Sequence, residues 1–146
     1  LKRYTIKTER RGLYNITSYV RQAVTESGVQ SGIAVVFCPH TTAAITINEN
    51  ADPDVKLIFF SFGGNISEQT AFRHAEGNSD AHMKSSCVGA SETVIIDDNE
   101  TSSGTWQGIY FAEFDGPEQE TFCEDNKGLI LVSGENHTLL VFFLLQ

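Results

Sequence analysis

GIAVVFCPHTTAAITINENADPDV, residues Gly32 to Val55, holds the pattern from which the fold is read. Gly32 to Cys38 is nearly all apolar, as a strand buried on both faces is. Pro39 and His40 interrupt it. Ala43 to Asn48 then alternates, with Ala43, Ile45 and Ile47 against Ala44, Thr46 and Asn48, the period of a half-buried strand. Asp52-Pro53-Asp54 is a helix start: Asp52 can cap, Pro53 suits the first helical position and Asp54 favours the positive helix end. Two strands in succession followed by a helix do not make a βαβ unit.

Outward from this stretch the same mixture continues. Tyr4 to Thr8 alternates as a strand and is followed by a turn at Arg11-Gly12. Thr17 or Ser18 can cap a helix through about Ser27, with Tyr19, Val20, Ala23 and Val24 as its apolar stripe and Gly28 as its stop. The helix begun at Asp52 runs to about Phe62 and stops at Gly63-Gly64. After a polar stretch to Ser79, Asp80 can cap a short helix carrying His82, Lys84 and Ser85, closed by Gly89. Strands are expected at Glu92 to Asp97, Thr105 to Phe114, Thr121 to Glu124, Leu129 to Ser133 and Thr138 to Leu145. The turns between them fall at Asp98-Asn99, Asp115-Gly116-Pro117, Asn126-Lys127-Gly128 and Gly134-Glu135-Asn136. Many strands with two or three helices and no regular βαβ alternation indicate α+β and argue against a doubly wound fold.

The 146 residues suit one domain, 1–146. A chain of this size buries roughly 68–70% of its unfolded surface and needs no staples. Its net charge of −9, with ten basic residues scattered along it, argues against nucleic acid and anionic membranes as partners. A phosphate ligand would need local help from a metal, a helix terminus or a neighbouring subunit. Cys38, Cys87 and Cys123 form no CxxC motif and cannot all pair. The first residues do not read as a signal peptide, and Leu139 to Leu145 is far shorter than the ~20 residues of a spanning helix. A cytoplasmic location with reduced thiols is expected.

Three histidines lie in polar, turn-rich surroundings: His40 in PHTT, His74 before Glu76-Gly77-Asn78, and His82 in NSDAH. Imidazoles from separate segments can hold a divalent cation such as zinc with one position open, although this spacing also suits ordinary hydrogen-bonded histidines. Asn48, Glu49, Asn50 and Asp52, then Glu76, Asn78 and Asp80, place acids and amides near them. These can orient ligating histidines or handle protons. For Asp52 and Asp80, helix capping is the competing reading. The Gly77-to-Asp80 loop leads into a helix start where free N–H groups and Lys84 could receive an anion. Trp106 reads as core or interface packing, with Gln107 on the opposite face as a possible ligand contact. Glu113 and Asp115 close that strand as site acids or solvated residues.

PHTTAAITINENADPDV (39–55), HAEGNSDAHMKSS (74–86), SETVII (91–96) and GTWQGIYFAEFDGP (104–117), in this order and spacing, resemble the YjbQ family, also called uncharacterised protein family 0047. The resemblance implies an α+β fold with mixed or antiparallel sheets packed as a sandwich, assembled as a trimer. It implies a site of His40, His74 and His82 with Glu49, Asn50, Asp52 and Asp80, in which, on the chemistry read above, the histidines hold a divalent metal, zinc or magnesium. Glu49, Asp52 and Asp80 are then catalytic candidates, and Thr41, Asn50, Asn78, Lys84, Ser85 and Gln107 contact a small phosphorylated ligand.

The activity implied is of thiamine-phosphate synthase type, joining a pyrimidine-methyl pyrophosphate to a thiazole phosphate with release of pyrophosphate. A metal-dependent phosphohydrolase and a non-catalytic phosphate- or nucleotide-binding trimer are the alternatives. The chain departs from the family pattern after Pro117, where Glu118, Gln119 and Glu120 replace arginine-rich sequence. It departs again between Lys56 and Phe72, where Leu57, Ile58, Phe59, Phe60 and Phe62 are too apolar for one helix face.

Overall fold

The alternation at residues 43–48 is realised in a computed structural model that describes residues 2–9, 11–61, 72–116 and 126–134. In β4 (Ala43–Glu49), Ala43, Ile45 and Ile47 face a core shared with the opposite sheet, while Ala44 packs against helices on the other side. β4 lies beside β7 (Gln107–Glu113), which also pairs with β2 (Gly12–Asn15), giving the order β2-β7-β4. The larger sheet has the order β1-β8-β3-β5-β6, from β1 (Lys2–Ile6), β3 (Ser31–Phe37), β5 (Ser91–Asp97), β6 (Glu100–Ser102) and β8 (Asn126–Gly134). All these pairings are antiparallel. The architecture is α+β.

The two sheets face each other across Ala34, Val36, Val94 and Ile96 on one side and Ala43, Ile45, Ile109 and Phe111 on the other. α1 (Thr17–Ser27) completes this core with Val20, Ala23 and Val24. Complete burial of Ile45 and Phe111 stabilises the fold by about 1.5–3 kcal/mol per side chain. Tyr19, expected in the α1 stripe, is largely exposed and instead meets the ring of Tyr4 at 5.2 Å. Gly28 ends α1 at φ +71°, the left-handed geometry that favours glycine.

α2 (Asp54–Ser61) and α3 (Ser79–Val88) cover the outer face of the smaller sheet. Asp52 caps α2 as expected: its Oδ1 accepts the Asp54 N–H at 2.9 Å. Phe59 and Phe60 pack on Phe114, with ring centroids 6.1 and 6.0 Å away. Leu57 and Ile58 on the same helix stay exposed, the consequence of apolar residues all round a short helix. No helix among the described residues is long and apolar enough to cross a membrane.

Several boundaries differ from the sequence reading. Gly12–Asn15 is a strand rather than the sequel to a turn, because residues nearly a hundred positions away in β7 pair with it. Glu100–Ser102 pairs with β5 through a turn in which Asp98 and Asn99 both take positive φ, 51° and 59°, suited to a two-residue hairpin. Asn126, Lys127 and Gly128, expected as a turn, begin β8 and pair with Ile6, Thr5 and Tyr4. Thr105 and Trp106 form a turn before β7. The expected strands at 121–124 and 138–145, and the stop at Gly63-Gly64, lie outside the described residues.

Candidate functional site

α3 begins at Ser79, with Asn78 as the residue before its first turn. The Asn78 side chain makes no capping bond to the helix. Its Nδ2 instead donates to Asp115 Oδ2 at 2.6 Å and Glu76 Oε2 at 3.2 Å. This fixes the amide and leaves its Oδ1 buried without a hydrogen-bond partner. One turn further on, His82 Nε2 is also buried and unpartnered. Asn78 immediately precedes the helix and His82 lies in its first turn, so both residues belong to the start of α3. The ring of His74 lies 4.8 Å from that of His82, centroid to centroid.

Asp80 neither caps the helix nor stands free for proton transfer. Its Oδ2 receives Lys84 Nζ at 2.8 Å and Arg11 Nη1 at 3.0 Å, and the carboxylate is almost fully buried. Burial pushes its pKa up, but the Lys84 hydrogen bond, the charges of Arg11 and Lys84 and the Ala81 N–H together hold it below the ordinary value. Ionised and doubly paired, Asp80 is a counter-ion that immobilises two cations, a poor acid and a poor base at neutral pH. Arg11, whose Nε also donates to the Asp115 carbonyl at 3.1 Å, was not singled out in the sequence. It sits 69 positions from its partner, and no local signal links them.

Ser85, expected to hold phosphate, is buried and donates to the carbonyls of Thr41 and His82, which ties α3 to the loop before β4. That loop carries His40. The Thr42 N–H donates to His40 Nδ1 at 3.2 Å, so a neutral ring keeps its proton on Nε2 and offers no lone pair there. His40 is thereby committed to Thr42, and among the described residues no three His, Cys, Asp or Glu side chains form a metal-holding group. Two of the three histidines come together. Glu113, read as a site acid or a solvated one, is buried: its Oε1 accepts the N–H of Asp115 at 3.1 Å and its Oε2 the Thr8 hydroxyl at 3.2 Å.

Glu49, Asn50 and Gln107 lie elsewhere. Glu49 pairs with Gln107 at the far end of β4, whereas Ala43 pairs with Glu113 beside the α3 site. Six strand steps at about 3.3 Å separate these ends by roughly 20 Å. The expected single constellation is therefore split within one chain, and Glu49 does not serve the histidines of its own chain. At this second end Asn50 Oδ1 accepts from Tyr110 Oη at 2.7 Å and Asn15 Nδ2 at 2.8 Å. Lys56 Nζ lies 5.6 Å from the Tyr110 ring centroid. Tyr110 was missed because it looked like ordinary strand sequence, and Asn15 because nothing local links it to Asn50.

Comparison with known proteins agrees with this fold. Residues 2–131 match the family model described as UPF0047 protein YjbQ-like. The UPF0047 protein MJ1081 of Methanocaldococcus jannaschii is 56% identical over 124 residues, covering 84% of this chain and 90% of that protein. The UPF0047 protein YugU of Bacillus subtilis is 52% identical, covering 83% and 94%. Among solved structures, an uncharacterised conserved protein of the same family from Clostridium acetobutylicum superposes with a TM-score of 0.82 at 46% identity, covering 91% of this chain and all of that one. A protein of unknown function from Sulfolobus solfataricus gives the same TM-score at 28% identity, covering 92% and 96%.

Proposed function

The chain belongs to the family of UPF0047 proteins like YjbQ, and from that premise we propose that it is a transferase of thiamine-phosphate synthase type that receives a pyrophosphate ester at the His74–His82 end of α3. The observation that carries this reading is the pair of buried, unpartnered atoms, His82 Nε2 and Asn78 Oδ1, on residues at the start of α3. Burying such groups unpaired costs about 1–3 kcal/mol each, a cost that a bound cation removes. An imidazole pair with an amide oxygen suits zinc better than magnesium, which prefers oxygen ligands. His74 and His82 would hold the ion, and His40 is not needed for it. Such a cation supplies charge neutralisation for the departing pyrophosphate.

The chain's own residues orient the ester. Arg11 and Lys84, fixed by Asp80, present cationic hydrogen-bond donors beside the helix start. In the transfer, the carbon–oxygen bond to pyrophosphate breaks, the leaving group keeps that electron pair, and the thiazole supplies the pair for the new bond. No proton need move, which fits a site whose buried aspartate is held ionised.

A trimer belongs to this reading. It is supported by apolar surface on the outer face of the larger sheet, where the register partners Ile33 and Ile95 are 44% and 61% exposed. The test is a coupled assay for inorganic pyrophosphate with both substrates present. Release that requires both substrates, in protein whose metal content has been measured, supports the transferase. Turnover of a generic phosphoester without the thiazole would favour a phosphohydrolase. Saturable binding without turnover would leave a binding protein.

A further inference from the structure

At the opposite end of β4, about 20 Å from the histidines by strand rise, a groove of about 790 Å³ opens between the first turns of α1, the Asn50-Ala51 bend and the turn before β7. Its volume lies inside the roughly 300–1,000 Å³ range of small-ligand sites. In a chain of net charge −9, no acidic side chain among the described residues lines this groove, and Arg21 does. Among the described residues Arg21 makes no ion pair, so its charge is available.

The only tryptophan of the chain stands at the rim. Trp106 is 65% exposed, yet its backbone is held firmly: its carbonyl accepts the Asn50 N–H at 2.7 Å. The turn around it is closed by Gln107 N–H to the Gly104 carbonyl at 3.0 Å and by Gly104 N–H to Gln107 Oε1 at 2.7 Å. An aromatic side chain open to solvent on an anchored turn can serve as a stacking platform. Asn50 adds direction. With its Oδ1 taken by Tyr110 and Asn15, its Nδ2 faces away as a donor with no partner among the described residues. An aromatic face, amide donors and a guanidinium in one groove match a planar heterocycle that carries an anion.

We propose that the groove lined by Trp106, Asn50, Gln107 and Arg21 is a second ligand site, for a nucleoside monophosphate whose base stacks on Trp106 and whose phosphate meets Arg21. This site is independent of the transferase reading. The arrangement favours a phosphorylated base over free phosphate, because a lone arginine in an open groove binds inorganic phosphate weakly against water. The base contributes by stacking and the phosphate by a charge-assisted, bidentate contact.

Trp106, as the sole tryptophan, makes the test direct. Adenosine monophosphate titrated into the full chain should quench its fluorescence saturably, with adenosine and inorganic phosphate each binding at least about tenfold more weakly. R21A should weaken the monophosphate by a similar factor, and W106L, followed by calorimetry, should do the same. Both side chains are exposed, so these variants keep the fold. H82A should leave this affinity unchanged, which separates a failure here from a failure of the transferase site. Unsaturable quenching, equal binding of inorganic phosphate, or wild-type affinity in R21A would overturn the proposal.

Discussion

His74 and His82 face one another with ring centroids 4.8 Å apart, although the segment between them turns through Gly77 at φ +73° before α3 begins. Ser79 to Val88 holds His82 on a helix, whereas His74 comes from the preceding loop, so their meeting depends on how that loop is anchored. The anchor is Asn78, bonded to Asp115 across the sheet end.

Replacing His82 by alanine removes the one buried imidazole nitrogen without a partner among the described residues. H82A should lower bound metal and pyrophosphate release together, by at least about tenfold, as losses at metal sites commonly do. Elemental analysis of the purified variant beside wild type, with circular dichroism to verify folding, measures this. Unchanged metal content with normal structure would end the metal assignment.

Asp80 makes stability depend on acid. Its folded pKa lies below the ordinary aspartate value of 3.8, so its stabilisation is present above that value and is lost as pH falls through the lower, folded one. Urea unfolding between neutral pH and pH 2 should show this loss in wild type and a flatter profile in D80N. At neutral pH D80N should be less stable by about 1–3 kcal/mol, because the largely buried Lys84 loses its counter-ion while the half-exposed Arg11 keeps much of its hydration. A D80N profile parallel to wild type would show that another carboxylate governs the acid limb.

The contrast between these two residues shows what a sequence discloses. Local chemistry was legible: Thr17 to Ser27 closed by Gly28, the alternation from Ala43, the Asp52 cap and the Asp98-Asn99 turn all depend on neighbours a few residues away. Asp80 had the same local look as Asp52, an acid at a helix start, yet Arg11 and Lys84 claim it. Gly12–Asn15, next to the turn read at Arg11-Gly12, and Asn126–Gly128, the first residues of β8, did not read as strand because their distant partners, not their own pattern, define them. The candidate site was legible as residue types. Its division between the two ends of β4 was not, because alternation along a strand says which face a residue takes and not which neighbours surround that end.

Cysteine reactivity should separate cleanly. Burial pushes the Cys38 thiol up to about 12, against a weak opposing bond at His40, whereas Cys87 is exposed. In a C123S background, a maleimide or disulfide reagent at pH 8 should modify Cys87 quickly and Cys38 only on unfolding, as peptide mapping would show. Because the folded pKa of Cys38 is raised, its contribution is complete below the ordinary thiol value and is lost as pH climbs toward 12. C38A should flatten that alkaline loss. Equal labelling of Cys38 and Cys87 in native protein would contradict its burial.

Gly108 in β7 tests whether the Asn50–Tyr110 contact is a built feature of the second site. A methyl group added there would sit 3.0 Å from Asn50 Cβ, 3.1 Å from Tyr110 Cε2 and 3.3 Å from Asn50 Cγ, all tighter than comfortable contact. Tyr110 is fully buried and has little room to yield, so Asn50 must move and its 2.7 Å bond from Tyr110 Oη must stretch. G108A should therefore cost about 1–3 kcal/mol in urea unfolding, in the range of overpacked cores. Y110F deletes the hydroxyl that serves Asn50 Oδ1 and the Glu49 carbonyl, at about 0.5–1.5 kcal/mol. If both act through Asn50, the double variant G108A/Y110F should cost less than the two single changes added together, by at least about 0.5 kcal/mol. The same coupling should appear in adenosine monophosphate affinity, since a displaced Asn50 no longer aims its Nδ2 beside Trp106. Strict additivity in both measurements would mean that Gly108 is retained only for sheet packing and that Asn50 is not held for a ligand.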